Sequence, residues 1–477
     1  MINSFKSGLF YSVIGKYGNM LIQLLVNAVL SRMLSPEDHG VLAIMMVFIV
    51  FFQMLSDMGF GPAIIQNKEL DSEDITALFN FSVIFSLFLA VLFGLSGYGI
   101  SYIYRSKIYI PISWLLSIAV LFNGLLTVPN SVLLKEKNFK SVNIRILLSS
   151  IIGGLVGIVL AFLDFKVYAL AYSTITTAFV NFIITFKVAK ITNKYNFKFS
   201  AVKKIWGFSK NQFGFSFLNY FSRNADNILI GRFMGASMLG NYSKAYQLLM
   251  LPTNVFTRVI VPVLQPVLSD YENNVLFIRN FYYKVLHFLF LIGLPLSVFL
   301  SVSAKEIIYF VFGRQWNLAI EPFAILSLTV WTQMVYGSIA AIYQSRNKTK
   351  HLLIMGIVNT IINVISIIIG VYFKSLNSVS LFLTMAFLLN FLFSFWMLST
   401  KVLNSKLSEI FKLMIRPLII SILVFIGLKG VELFINIESG SFISLVVKGI
   451  VYILVFLLSC MFMGEIKEVK NSFLNEK

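Results

Sequence analysis

Blocks of twenty or more mostly apolar residues recur along the whole chain, separated by short polar connections. A helix needs about 20 residues to cross roughly 30 Å of hydrocarbon, so blocks of this length require lipid around them rather than a protein core. Backbone groups in lipid must be satisfied within their own segment, which makes each block a helix. Fourteen spans are expected, seven of them at about 9–31, 41–62, 75–98, 111–134, 142–163, 167–190 and 208–231. The other seven lie at about 241–268, 281–303, 318–344, 352–373, 377–400, 412–435 and 442–463. Only 12% of the 477 residues are charged, about half the share of a soluble domain. The expected fold class is an all-α, multi-pass membrane protein.

Lys and Arg number 39 against 20 Asp and Glu. In a soluble chain that surplus would suggest nucleic acid. Here the basic residues gather in short loops, where they report topology. Lys135, Lys137, Lys140 and Arg145 are read as the loop between spans four and five, and Lys187, Lys190, Lys194, Lys198, Lys203, Lys204 and Lys210 as the next even-numbered loop. The odd-numbered loops carry far fewer cations. Even loops and both termini are therefore expected on the cytoplasmic side of the inner (cytoplasmic) membrane, with no nucleic-acid partner. The apolar run from Leu9 reads as a retained first span. A single cysteine, Cys460, leaves no internal disulfide.

No loop exceeds about twenty residues, which leaves no room for a soluble catalytic domain. GxxxxGK[ST], HExxH and GxSxG patterns are missing, and His39, His287 and His351 are scattered without metal-ligand spacing. No catalytic residue, metal or cofactor is expected, and the chain does not read as an enzyme.

An offset of 200 aligns Asn19, Asn27, Arg32 and Gly40 with Asn219, Asn227, Arg232 and Gly240. An offset of 213 aligns Gly124, Lys135, Lys137 and Gly157 with Gly337, Lys348, Lys350 and Gly370. Helices one to six then repeat as seven to twelve, and an even number of helices makes the copies parallel, as in a known transporter design. The expected domains are a six-helix lobe at 1–195, a second at 196–404, and two extra helices with a tail at 405–477. The 191–207 connection reads as the lobe linker.

Ionisable residues inside a membrane mark a pathway or pair with one another. Lys16 in helix one and Arg258 in helix eight have no counter-ion in their own helices, which suits an anionic substrate such as a phosphate or pyrophosphate. Arg223 and Asp226 share a face of helix seven and form either a structural ion pair or a ligand contact. Asp57 near the end of helix two and Asp226 are the ion-coupling candidates. Arg416, Lys284 and Lys429 are read as snorkelling to the headgroups. Pro129 in helix four and Pro252, Pro262 and Pro266 in helix eight are expected to kink or break them. Gly153, Gly154 and Gly157 favour close helix packing.

Several stretches resemble one family. Ser31-Arg32-Met33-Leu34-Ser35-Pro36-Glu37-Asp38-His39-Gly40 is similar to the ARxLxPxxFG signature of polysaccharide flippases, and Asp57-Met58-Gly59-Phe60-Gly61-Pro62-Ala63 to their DxGFGxA element. Val128-Pro129 through Lys140 resembles vPxxLLxxxxxFK. Asp226–Arg232 with Gly240–Tyr246 resembles DNxLIGxxxGxxxLGxYSxAY, and Phe312–Trp316 resembles FGxxW. The chain looks like a Wzx/TuaB-type (WzxC-like) polysaccharide flippase of the multidrug/oligosaccharidyl-lipid/polysaccharide exporter superfamily. The resemblance implies two six-helix lobes plus two helices, alternating access, and an undecaprenyl-diphosphate-linked oligosaccharide moved from the inner to the outer leaflet. Relatives that flip lipid-linked precursors use basic residues in helices one, two and eight. Lys16 and Arg258 match the first and last, whereas helix two offers Asp57. A polysaccharide polymerase and chain-length machinery would be partners, besides membrane lipids. The rival functions are a membrane glycan polymerase or glycosyltransferase, a small-molecule exporter of the same fold, and a non-transporting scaffold.

Overall fold

The computed structural model describes residues 2–67, 69–191, 224–434 and 440–466, together with positions 203, 213, 217 and 220. Among the described residues every regular element is helical. The chain forms two compact units, Met1–Gly240 and Asn241–Lys477.

The first unit contains α1 (Ile2–Met33), α2 (Pro36–Asp57), α3 (Phe60–Gln66), α4 (Ser72–Tyr104), α5 (Tyr109–Lys135), α6 (Phe139–Phe162) and α7 (Val167–Ala189). Residues 224–234 form α8, and α9 (Ala236–Ser269) begins at its edge. Local chemistry sets the starts. Ser35 accepts from the Asp38 amide while Asp38 accepts from the Ser35 amide, with Pro36 in the first turn, so α2 opens on a capping box. Asp71 and Asp74 do the same for α4.

Apolar residues surround these helices, so hydrophobicity alone does not choose which side is buried. Small and polar residues do. A Cβ at Gly153 of α6 would overlap Thr177 Oγ1 of α7, and one at Gly154 would press into Val26 of α1. Adjacent glycines thus let two neighbours approach α6 from different sides.

In the second unit α10 (Val275–Val302) packs along α16 (Leu407–Phe434) and α13 (Val330–Ser345). The helix α14 (Thr349–Tyr372) pairs with α15 (Leu376–Lys401), and α16 with α17 (Phe442–Phe462). Between α10 and α13 lie α11 (Ala304–Val311), a 3-10 turn (Arg314–Ala319) and α12 (Ile320–Ser327).

Among the described residues ten helices are long and apolar enough to cross a membrane, or eleven if the bent α12–α13 pair is one span. They coincide with eleven of the fourteen expected spans. Of the other three, 208–231 lies mostly outside the described residues, and 9–31 and 241–268 are helical in backbone with several side chains outside the described set. Most of the 191–207 connection also lies outside the described residues.

Two expectations need correction. Lys140 and Arg145 are not loop residues: Asn138 caps α6 through the Ser141 amide, and the helix has already started at Phe139. Of the two outcomes expected at the prolines, breaking does not occur, since α5 runs through Pro129 and α9 through Pro252, Pro262 and Pro266. A bend of 57° falls between α12 and α13, without a proline at the break. There the Trp331 amide donates to Ser297 Oγ of α10 at 3.1 Å, so a neighbouring helix supplies the partner that its own helix does not.

Candidate functional site

Lys16 sits on α1 one residue after Gly15, where a Cβ would overlap the Asn143 side chain of α6. Three residues further on, Asn19 Oδ1 accepts from Ser150 Oγ at 2.7 Å. A polar seam thus holds α1 on α6, and the Lys16 side chain emerges from it exposed. A long cationic side chain held at one end by a rigid seam has the reach to meet an anion.

Asp57 is half-buried at the end of α2. Its Oδ1 accepts from the Gly61 amide at 3.2 Å, bridging a turn in which Met58 and Gly59 have φ values of 42° and 73°. The carboxylate thereby holds the α2–α3 corner. Asp226 on α8 is also half-buried, and its Oδ1 accepts from the Asn227 amide at 2.8 Å. Arg223 lies outside the described residues, so its pairing with Asp226 does too. Arg258 falls within the backbone of α9, with its side chain outside the described set.

Sequence reasoning missed a buried cation. Arg145 is 3% exposed and donates to Asn130 of α5, Thr185 of α7 and the Val142 carbonyl. These three acceptors are neutral, so the guanidinium charge is spread over dipoles that lock α5, α6 and α7 together. Asn143 faces α1 while Arg145 faces α5 and α7, so Arg145 belongs to a seam separate from that of Lys16.

The second unit holds its charges in contacts between helices. Lys448 of α17 is buried between Glu306 of α11 at 2.9 Å and Glu432 of α16 at 2.8 Å, and Ser444 donates to the same Glu306 oxygen. Glu465, fully buried, meets His287 of α10 at 2.7 Å and Arg416 of α16 at 3.4 Å. Lys429 bonds Glu432 at 2.6 Å. Arg416, read from the sequence as snorkelling, therefore shares Glu465 with His287 of α10, whereas Lys429 pairs with Glu432 one turn further along α16 itself.

The sequence motifs find their physical reasons here. Lys244, 4% exposed, lies over the rings of Phe312 and Trp316 at 5.0 and 5.3 Å, so the Gly240–Tyr246 and Phe312–Trp316 stretches meet as one cation–π contact. In the Val128–Lys140 stretch, Asn130 holds Arg145 and Lys135 donates to the Asn67 carbonyl at 2.8 Å. Gly40 and Gly240 mark a close helix crossing between α2 and α9.

A polar cluster crosses α13, α14 and α15. Asn359 donates to Tyr336 and Ser394, both at 3.0 Å, and Asn390 donates to Asn363 at 2.8 Å. Tyr336, Asn359, Asn363 and Asn390 border a cavity of about 70 Å³. That space holds one or two waters, each occupying about 30 Å³ in the liquid, and is too small for a sugar ring. Among the described residues no group of three or more His, Cys, Asp or Glu is placed to hold a metal. The polar groups on these helices can bind anions and hydroxyl groups.

Residues 29–321 match the family described as "Polysaccharide biosynthesis protein". The chain is 24% identical over 467 residues to an "Uncharacterized membrane protein in cps region" of Klebsiella pneumoniae, covering 94% of each chain. It is 24% identical over 418 residues to "Teichuronic acid biosynthesis protein TuaB" of Bacillus subtilis (strain 168), covering 87% of this chain and 86% of that one. Its fold is similar to the lipid II flippase MurJ in an inward closed conformation, with a TM-score of 0.76 at 17% identity, covering 96% of this chain and 99% of the other.

Proposed function

We propose, from the premise that this chain belongs to the polysaccharide biosynthesis protein family, that it is a flippase for an undecaprenyl-diphosphate-linked oligosaccharide. It would carry the repeat unit from the inner to the outer leaflet of the cytoplasmic membrane by alternating access, for assembly of a surface polysaccharide. The observation that carries this proposal is the family match over residues 29–321 on a chain of at least ten apolar spans. The names of TuaB and MurJ point the same way. The protein is a transporter rather than an enzyme.

The physical problem is to move a charged, hydroxyl-rich headgroup through hydrocarbon while the lipid tail stays in it. Lys16 and Arg258, with Arg223, would hold the diphosphate by charge-assisted bonds. The exposed Lys16 side chain supports that role. Arg145 is left out, because its donors already serve neutral acceptors within the first unit. Asp57 or Asp226 would bind the coupling proton or sodium ion. Neutralising Asp57 would weaken the bond it accepts from the Gly61 amide and loosen the α2–α3 corner, and restoring the charge would tighten it. Both termini would lie in the cytoplasm, and a polysaccharide polymerase with its chain-length machinery would receive the product.

Cells depleted of the protein test this directly. Complete lipid-linked repeat units should accumulate on the cytoplasmic leaflet. Units that reach the outer face but remain unpolymerised would assign the chain to polymerisation instead.

A further inference from the structure

The C-terminal end of α4 offers an anion site that the flippase reading does not use. A cavity of about 530 Å³ is lined by Ser101, Tyr102, Arg105, Ser106 and Lys107 at the end of α4 and its following turn, and by Arg232 of α8. Helix ends attract single cations through their carbonyl dipoles. Here three cations from two separate helix ends line one concavity, and its described lining includes no carboxylate. Serine and tyrosine hydroxyls add neutral donors beside them.

A second observation names the kind of ligand. Ile84, Phe88, Val91, Leu95, Tyr98 and Tyr102 are all exposed and recur every three or four residues on α4. They make one apolar stripe about 27 Å long at 1.5 Å per residue, and Tyr102 at its end belongs to the cavity lining. An occupant must therefore be anionic at one end and apolar along its length. Basic pockets at the ends of membrane helices bind lipid headgroups on this basis.

We propose that Arg105, Lys107 and Arg232 bind the phosphate of an anionic lipid whose chain lies on the exposed α4 stripe. Free phosphate shares the headgroup chemistry but lacks the chain. The stripe favours the lipid.

The test uses the purified full-length protein in detergent, titrated with fluorescent phosphatidylglycerol and, separately, phosphatidylcholine. Replacing all three residues (Arg105→Gln, Lys107→Gln, Arg232→Gln) should weaken phosphatidylglycerol binding by at least about tenfold and leave phosphatidylcholine unchanged. The exposed pair alone, Arg105→Gln with Lys107→Gln, should give a loss of about threefold or more without touching the α8 end. Lys401→Gln, Lys406→Gln and Lys412→Gln remove the same charge elsewhere and should keep wild-type binding. Equal binding by the triple variant and the wild type, or an equal loss in the distant control, would overturn the site. Displacement of the probe by about 10 mM inorganic phosphate would overturn the lipid as occupant and assign the cavity to the free anion.

Discussion

Gly40 and Gly240 each lie against the backbone carbonyl found four residues before the other: Gly40 on the Ala236 oxygen and Gly240 on the Pro36 oxygen. An offset of 200 relates both pairs, Pro36 to Ala236 and Gly40 to Gly240. The crossing is therefore reciprocal, and a Cβ built on Gly240 would also stand 3.1 Å from the Gly40 amide nitrogen. Backbone meets backbone here, with Cα–H groups facing carbonyl oxygens.

Gly40→Ala and Gly240→Ala should each force the helices apart. Forcing a methyl group into a filled site costs about 1–3 kcal/mol, which a thermal melt of the purified protein will register. Adding Ala236→Gly to Gly40→Ala should not restore stability, because the obstacle is a carbonyl oxygen. Rescue by that second change would locate the clash in the side chain and refute this account.

Lys244 should tolerate arginine better than methionine. Both keep the length of the stem, but only arginine keeps a cation over Phe312 and Trp316. Lys244→Met should lose about 1–2 kcal/mol, the range for a desolvated cation–π contact. Equal melting temperatures for the two variants would remove the ring contact as the reason for lysine at this position.

Removing Lys448 leaves the buried Glu306 carboxylate without its cation. Lys448→Met is expected to cost about 3–5 kcal/mol, and adding Glu306→Gln should recover part of that loss. A double-mutant cycle showing simple additivity would mean that Glu432 alone compensates Lys448.

Lys16→Ala and Arg258→Ala should each impair glycan export while protein levels stay normal. Surface polysaccharide measured against membrane abundance decides this. Full export in both single variants would move the diphosphate contact away from these two residues.

The all-helical plan was legible because an apolar block of span length has few alternatives in lipid. Where each helix began was less so. Arg145 reads as a loop cation because it is charged and lies at the edge of its apolar block, whereas Asn138 starts α6 seven residues earlier through one side-chain bond. The 57° bend was hidden for a related reason: Ser297, which makes it tolerable, lies 34 residues before Trp331. Charge pairing across helices was equally out of reach, so Arg416 read as snorkelling until Glu465, 49 residues further on, came beside it; the Lys429–Glu432 pair, three residues apart on α16, was open to sequence reasoning. The motifs themselves were visible, but that Lys244 and Trp316 form one contact follows only from the fold.

The bond between Trp331 and Ser297 makes the bend a shared property of two helices. An amide freed inside one span and satisfied by the next cannot keep its partner if α10 slides along its axis by more than about an ångström, given the narrow distance range of a good hydrogen bond. Any movement of α10 during a transport cycle is thus geared to the angle at which α13 leaves α12.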